Sequence, residues 1–254
     1  MQKIKFRYLQ HLFRKKTSLI ISLLLLCAAG KAQLRDSWNL ENHDEKPYYF
    51  GIVLGYNTSH YNISHTPYFL ANDTILGVES QNSGRIHLGI LVNWQMSKRF
   101  DLRFYPLNLI FSEKKLLYTQ KYPNQGDNSL DQFRKVESIV MSFPLQVRLK
   151  SDRINNFRVY SLAGVKFDYD LASNAGATNA EDFIKVKQTD FGVELGVGFQ
   201  FFFKYFIFSP ELKISQGLSN MHVPDPGNRY SDVIDQMRSR MIMFSLQFEG
   251  GGSN

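Results

Sequence analysis

Residues 189–201 alternate almost without exception. Thr189, Phe191, Val193, Leu195, Val197, Phe199 and Phe201 share one parity; Asp190, Gly192, Glu194, Gly196, Gly198 and Gln200 share the other. A period of two sends successive side chains to opposite faces of a β-strand. One face is therefore large and apolar, the other small or polar. The first suits lipid, and the second suits the crowded interior of a narrow barrel.

Seven more segments repeat the pattern. Residues 48–60 set Phe50, Ile52, Leu54 and Tyr56 against Gly51, Val53, Gly55 and Asn57, and residues 85–96 set Ile86, Leu88, Ile90, Val92 and Trp94 against Arg85, His87, Gly89, Leu91 and Asn93. A third strand starts at Phe100 with Leu102 and Phe104 outward. At Pro106 the apolar parity moves to Leu107, Leu109 and Phe111, which predicts a bulge. The remaining strands fall at 136–150, 157–171, 206–217 and 239–249. Long connections such as 61–84 and 218–238 alternate with short ones such as 151–156, so both termini belong on the short-turn side. The expected fold is an all-β, eight-stranded antiparallel up-and-down transmembrane β-barrel, whose short-turn side is periplasmic in the outer membrane of a Gram-negative bacterium.

The N-terminus fits export. Lys3, Lys5, Arg7, Arg14, Lys15 and Lys16 precede an apolar run at 19–29 and the small-residue stretch Gly30-Lys31-Ala32. This is the order of a secretory signal peptide, and the run is too short to span a bilayer as a helix. The expected division is a signal peptide (1–32), a periplasmic N-terminal segment (33–47), the outer-membrane barrel (48–249) and a short C-terminal tail (250–254). Of 30 basic and 23 acidic residues, seven basic and no acidic ones lie in 1–32, which leaves 23 of each. The basic balance thus belongs to the targeting signal and argues against a nucleic-acid partner. The single cysteine, Cys27, leaves with it, so disulfide chemistry is excluded.

A soluble barrel would also alternate, with its apolar face inward. Against it stand the glycines of the polar face and the aromatics gathered at the predicted periplasmic strand ends: Tyr48, Phe50, Trp94, Phe100, Phe157, Phe201, Phe203, Tyr205, Phe206 and Phe248. Such a girdle marks a membrane interface.

Eight strands leave a lumen wide enough only for its own side chains. Arg85, Arg103, Lys150 and Lys213 fall on lumen parity, together with a predicted structural network of Arg148, Arg158, Lys166, Asp168, Asp170, Asp190, Glu194 and Glu211. Buried charges must pair, so the expectation is a salt-bridged plug with no open pore. Asp168, Asp170 and His87 could be read as catalytic, but lumen pairing is the simpler account. His60 and His65 lack a metal-ligand spacing. No catalytic, cofactor or metal residues and no small-molecule substrate are assigned.

Several segments, in order, resemble the PorT family. They are Phe100-Asp101-Leu102-Arg103-Phe104, residues 136–145 with Phe143-Pro144-Leu145, Asn155-Asn156-Phe157-Arg158-Val159-Tyr160, residues 164–173, and Phe208-Ser209-Pro210-Glu211-Leu212-Lys213. The resemblance implies an outer-membrane barrel of Bacteroidota that serves the type IX secretion system, and gliding motility where present. It implies an accessory role, with outer-membrane lipid and other secretion-system envelope proteins as partners. A generic structural barrel or adhesin using the long loops is the alternative, and an outer-membrane hydrolase a more distant one.

Overall fold

The computed structural model describes residues 38–71, 74–122, 130–173, 184–225 and 228–250. The expected signal peptide (1–32), residues 33–37 and residues 251–254 of the expected tail lie outside the described residues. The described chain forms nine strands: β1 (Tyr48–His65), β2 (Ile75–Gln81), β3 (Ser83–Gln95), β4 (Phe100–Gln120), β5 (Asp131–Lys150), β6 (Phe157–Asp170), β7 (Thr189–Phe202), β8 (Phe206–Gly217) and β9 (Ile234–Gly250). All neighbours pair antiparallel, in the order β2-β4-β3-β1-β9-β8-β7-β6-β5, and a further β4–β5 ladder closes a ring of eight. The ninth strand, β2, lies outside the ring count, continuing the stave of β3 past Asn82 and pairing with β4. This is an up-and-down barrel. Its turn end carries the short connections 96–99, 151–156 and 203–205; its loop end carries the others.

Outward rows are apolar through the middle of the wall. Ile52, Leu54, Leu195, Val197, Leu212, Ile214, Ile242 and Phe244 are all exposed, while their alternating neighbours are buried. At the turn end the aromatics touch in series. Phe157 lies 5.3 Å from Phe201, Phe201 6.4 Å from Phe208, Phe208 5.4 Å from Phe248 and Phe206 5.1 Å from Phe203. Rings shared between adjacent strands fit an amphipathic belt at a bilayer edge.

Pro106 sits at a bulge. The β3–β4 register shifts between Ile90 and Val92, and the β4–β5 register between Phe104 and Leu109. Proline offers no N–H to the ladder, and the extra residue flips the parity of the rest of the strand. Asp101, Arg103 and Tyr105 are buried before it; Asn108, Ile110 and Ser112 are buried after it.

Strand extends into the expected loops. The segment 61–84 contains the end of β1, a short helix α1 (Pro67–Ala71) and β2. β4 runs on to Gln120, β5 already begins at Asp131, and β9 begins at Ile234. The cause is a reversal of polarity along single strands. Near the turn end β4 exposes Phe100 and Phe104 and buries Asp101 and Arg103; near the loop end it buries Leu116 and Tyr118 and turns Lys115 and Thr119 outward. A template with apolar residues outward cannot register the second half.

The wall has a seam between β3 and β4. The β3–β4 ladder stops at His87–Ile110 and pairing of β4 resumes with β2 at Gln81–Lys115. Two β1 side chains reach behind β3 to the backbone left over: Asn57 Nδ2 donates to Phe111 O (3.1 Å) and Ser59 Oγ to Glu113 O (3.4 Å). Arg85, expected in the lumen, is instead half-exposed at this seam and ion-pairs with Glu113. Where the ladder lapses, the arginine stays at the surface.

Candidate functional site

The interior is filled at three levels, and the middle one is ionic. At the turn-end side of the middle, Arg148 donates to Asp101 Oδ2 (2.6 Å) and to the Tyr49 hydroxyl (2.5 Å) and lies 3.6 Å from Glu249. Lys150 meets Asp101 at 2.7 Å. Arg103 meets Glu249 at 2.7 Å and Glu211 at 3.4 Å, and also donates to Gln247. The Tyr160 hydroxyl donates to Glu211 (2.8 Å), and its ring lies 4.8 Å below the Arg148 guanidinium. One strand further, Lys213 and Gln146 converge on Glu194 at 3.2 and 2.5 Å. Lys166 pairs with Asp168, which also accepts from Ser142 Oγ at 2.5 Å.

All eight residues of the expected network are buried, but only Lys166 and Asp168 pair with each other. Asp170 and Asp190 accept from the backbone N–H groups of Ala172 (2.9 Å) and Ser219 (3.2 Å), anchoring two connections. Arg158 makes a two-pronged bond to Asp44 (2.9 and 2.5 Å). The interior charges that appear neither in that network nor among the other lumen-parity candidates are Asp101, Glu249, Asp44 and Lys114. Asp101 and Glu249 stand between the outward residues Phe100 and Leu102 and beside outward Phe248, so parity alone could have found them. With Glu113 set aside, because it pairs with Arg85 at the seam, the buried inward charges among the described residues balance. Arg103, Lys114, Arg148, Lys150, Arg158, Lys166 and Lys213 face Asp101, Asp168, Asp170, Asp190, Glu194, Glu211 and Glu249.

The inner glycines make room for these long side chains. A Cβ on Gly192 would come within 2.7 Å of Lys166 Cε and 2.6 Å of the Gln216 carbonyl oxygen. Only a residue without a side chain lets Lys166 lie across β7.

The turn end is sealed by residues preceding β1. A 3-10 turn (Glu41–Glu45) lodges in the mouth; the His43 ring lies tilted 4.5 Å from Tyr49 and edge-on 6.1 Å from Phe202. Asn39 Nδ2 donates to Phe202 O (2.9 Å), and Arg153 to Leu40 O (3.3 Å). Burial holds the His43 imidazole down at about 4, although Glu249 and Asp44 act against it. Asp44 is pushed up by burial, but the Arg158 hydrogen bond and charge more than reverse this, leaving its pKa below the usual carboxylate range.

The loop end is closed by an apolar cap. Tyr61, Ile75, Val78, Leu116, Tyr118, Ile184, Val186, Met221, Tyr230, Val233, Ile234 and Met237 form one buried cluster. The 218–238 connection therefore turns inward in part. Tyr230, in the short helix α2 (Arg229–Asp232), packs edge-on to Tyr118 at 5.0 Å and accepts at its hydroxyl from Gln120 Nε2 (2.7 Å). Between cap and charges lies a cavity of about 20 Å³ beside Lys114, Tyr61 and Asp190, room for roughly one water.

Among the described residues a His–Ser pair comes close enough to consider. His87 Nε2 lies 3.0 Å from Ser245 Oγ, yet both are buried and His87 Nδ1 has no hydrogen-bond partner to orient the ring. No grouping of three potential metal ligands occurs among the described residues; His60 and His65 stay apart at successive heights of β1.

A protein-family model described as "Outer membrane protein beta-barrel domain" matches residues 32–223. The chain belongs to this outer-membrane β-barrel family. Its exposed apolar rows accordingly face the bilayer. No curated protein matches the chain. Among solved structures it is similar to OprG from Pseudomonas aeruginosa, at 13% identity with TM-score 0.47, covering 81% of this chain and 96% of that one. It is also similar to Neisserial surface protein A, at 11% identity with TM-score 0.43 and coverage of 80% and 96%. A third is Ail of Yersinia pestis, at 10% identity with TM-score 0.36 and coverage of 80% and 99%.

Proposed function

We propose that this barrel is an accessory, structural component of type IX protein secretion, and of gliding motility where present, in an outer membrane of the Bacteroidota type. Its termini face the periplasm, and its partners are outer-membrane lipid and other envelope proteins of the system. The observation that carries the reading is the filled lumen: N-terminal seal, ion-paired middle and apolar cap leave no thread-sized path, so the barrel acts beside a conduit. The eight-residue network of Arg148, Arg158, Lys166, Asp168, Asp170, Asp190, Glu194 and Glu211 has a structural role in that closure. The ordered PorT-like segments support the assignment to this system.

Deleting the gene and following cargo that carries a C-terminal sorting domain tests it. Lost secretion is expected, and normal secretion defeats the proposal. Porin-like single-channel conductance from the purified barrel would defeat the closed-lumen premise separately. The loop end favours a second reading as an adhesin, because Leu70 is 89% and Tyr122 63% exposed there. Intact secretion with lost surface attachment in the same deletion strain would select it.

A further inference from the structure

The polarity reversal fixes a height on the barrel wall, and one set of side chains at that height lacks a partner. On β9 the outward residues Phe248, Leu246, Phe244 and Ile242 give way to Arg240 and then Arg238, both exposed. On β1, Tyr56 and Thr58 give way to His60 and Asn62. The register sets His60 directly beside Arg240 and Asn62 beside Arg238, one step above the Thr58–Ile242 pair. Directly opposed residues of antiparallel strands hold their Cβ atoms about 5 Å apart. Two guanidiniums, an imidazole and an amide therefore form one polar ledge over the apolar wall.

Among the described residues no carboxylate pairs with this ledge. β1 contains no acidic residue, the exposed Asp235 at the start of β9 makes no ion pair with either arginine, and Glu211 and Glu249 point into the lumen. Neither arginine has an ion-pair partner among the described residues; Arg238 donates only to Gln236 Oε1, at 3.1 Å. At the turn-end rim Arg99 meets Asp152 at 3.2 Å and Lys204 lies 5.2 Å from the Tyr205 ring. Basic groups at a bilayer edge without a protein anion are satisfied by anionic lipid, and a guanidinium matches phosphate through paired N–H donors.

We infer that Arg238 and Arg240, with His60 and Asn62 as neutral donors, form a docking ledge for the phosphate of a lipid headgroup at the loop-end leaflet. The ledge is on the outer wall and owes nothing to the lumen or to a secretion role. Its occupant is a membrane lipid, because Ile242 and Phe244 immediately below offer the acyl chains an apolar surface.

The test uses the full barrel in phosphatidylcholine vesicles doped with lipid A, a diphosphorylated lipid, and reads lipid retained per barrel by native mass spectrometry. The Arg238→Gln/Arg240→Gln double variant is expected to lose about tenfold or more in lipid A retention, with phosphatidylcholine unchanged. Arg99→Gln/Lys204→Gln, at the other rim, is expected to retain lipid A as the parent does. Equal retention by the double variant overturns the proposal, as does an equal loss in the other-rim variant, which would mean diffuse charge attraction. Full displacement by inorganic phosphate at the lipid's own concentration would assign the ledge to free phosphate and overturn the lipid. Heat-modifiable gel migration verifies folding. Should the double variant not fold, Arg240→Lys keeps the charge and removes the fork; it is expected to lose retention several-fold, and parental retention there overturns the proposal.

Discussion

The two halves of β4 hold their neighbours by different physics. Near the turn end, Asp101 and Arg103 point into a lumen of ion pairs while Phe100 and Phe104 face outward; near the loop end, Leu116 and Tyr118 point into an apolar cap while Lys115 and Thr119 face outward. The first half is organised for a bilayer, with polar groups hidden from lipid. The second is organised for water, with apolar groups hidden from it. One strand changes solvent along its length, and its inward chemistry changes with it.

The largest expected effect breaks the ionic half. Arg148 is fully buried and shares Asp101 and Glu249 with Lys150 and Arg103. Replacing it by methionine keeps much of the length and leaves Asp101 with Lys150 alone and Glu249 with Arg103 alone, so the lumen carries one uncompensated negative charge. Breaking a buried pair in this way costs about 3–5 kcal/mol. Urea unfolding of the barrel in vesicles should show that loss. An unchanged midpoint would mean that water reaches the network and solvates the carboxylates.

The cap offers the matching experiment. Leu116 is fully buried in the cluster with Tyr118 and Met237, and truncation to alanine costs about 2–5 kcal/mol through lost burial and the cavity left behind. The loss should stay local. Hydrogen exchange is expected to quicken in β2 and in 218–234, with β6 to β8 keeping their protection. Matching losses across the membrane half would show that the two regions unfold as one unit, and the contrast between them would dissolve.

The same contrast explains how much of the molecule is legible in the sequence. Lumen residues such as Glu194, Lys166 and Arg148 stand out because they interrupt an outward row of Phe, Val and Leu. Tyr61, Ile75 and Tyr118 do not. Their apolar parity points inward, and within a template for lipid-facing strands they look like irregular loop. Asp44 is out of reach for another reason, since no local pattern says that a segment preceding β1 folds back onto Arg158. Arg85 is misplaced because a ladder gap at 83–86 is a tertiary event.

A third effect separates the N-terminal seal from the ionic middle by pH. His43 is docked uncharged, with its pKa depressed from 6.5 to about 4 by burial. The docked form therefore binds fewer protons than the released form. Docking is fully favoured above pH 6.5 and weakens as pH falls from 6.5 towards 4, by roughly 3 kcal/mol over that interval. Asp44 is depressed below its usual value and still charged there, so it does not contribute until lower pH. Glu249, Lys46 and Lys150 also act on the ring electrostatically. Trp38, 5.2 Å from the Arg153 guanidinium, supplies the fluorescence signal. Its emission should shift between pH 6.5 and 4 in the parent and stay flat in a His43→Gln variant. A shift of equal size in both would place the acid response elsewhere.

The smallest effect tests whether charge or burial governs the ionic half. Arg99 and Asp152 form an ion pair at 3.2 Å on the turn-end surface, with side chains 65% and 80% exposed. Arg148 and Asp101 pair at 2.6 Å with both side chains wholly buried. The groups are chemically alike and the distances similar. Water solvates the exposed ions when they part, so Arg99→Ala should cost less than about 1 kcal/mol. Removing Arg148 leaves the buried Asp101 with Lys150 as its remaining cation and one negative charge in the lumen uncompensated. Urea midpoints of the two variants, measured side by side, should differ severalfold in their displacement from the parent. Equal displacements would mean that the lumen screens charge as well as the surface does, and the filled interior would have to be redrawn as a wet one.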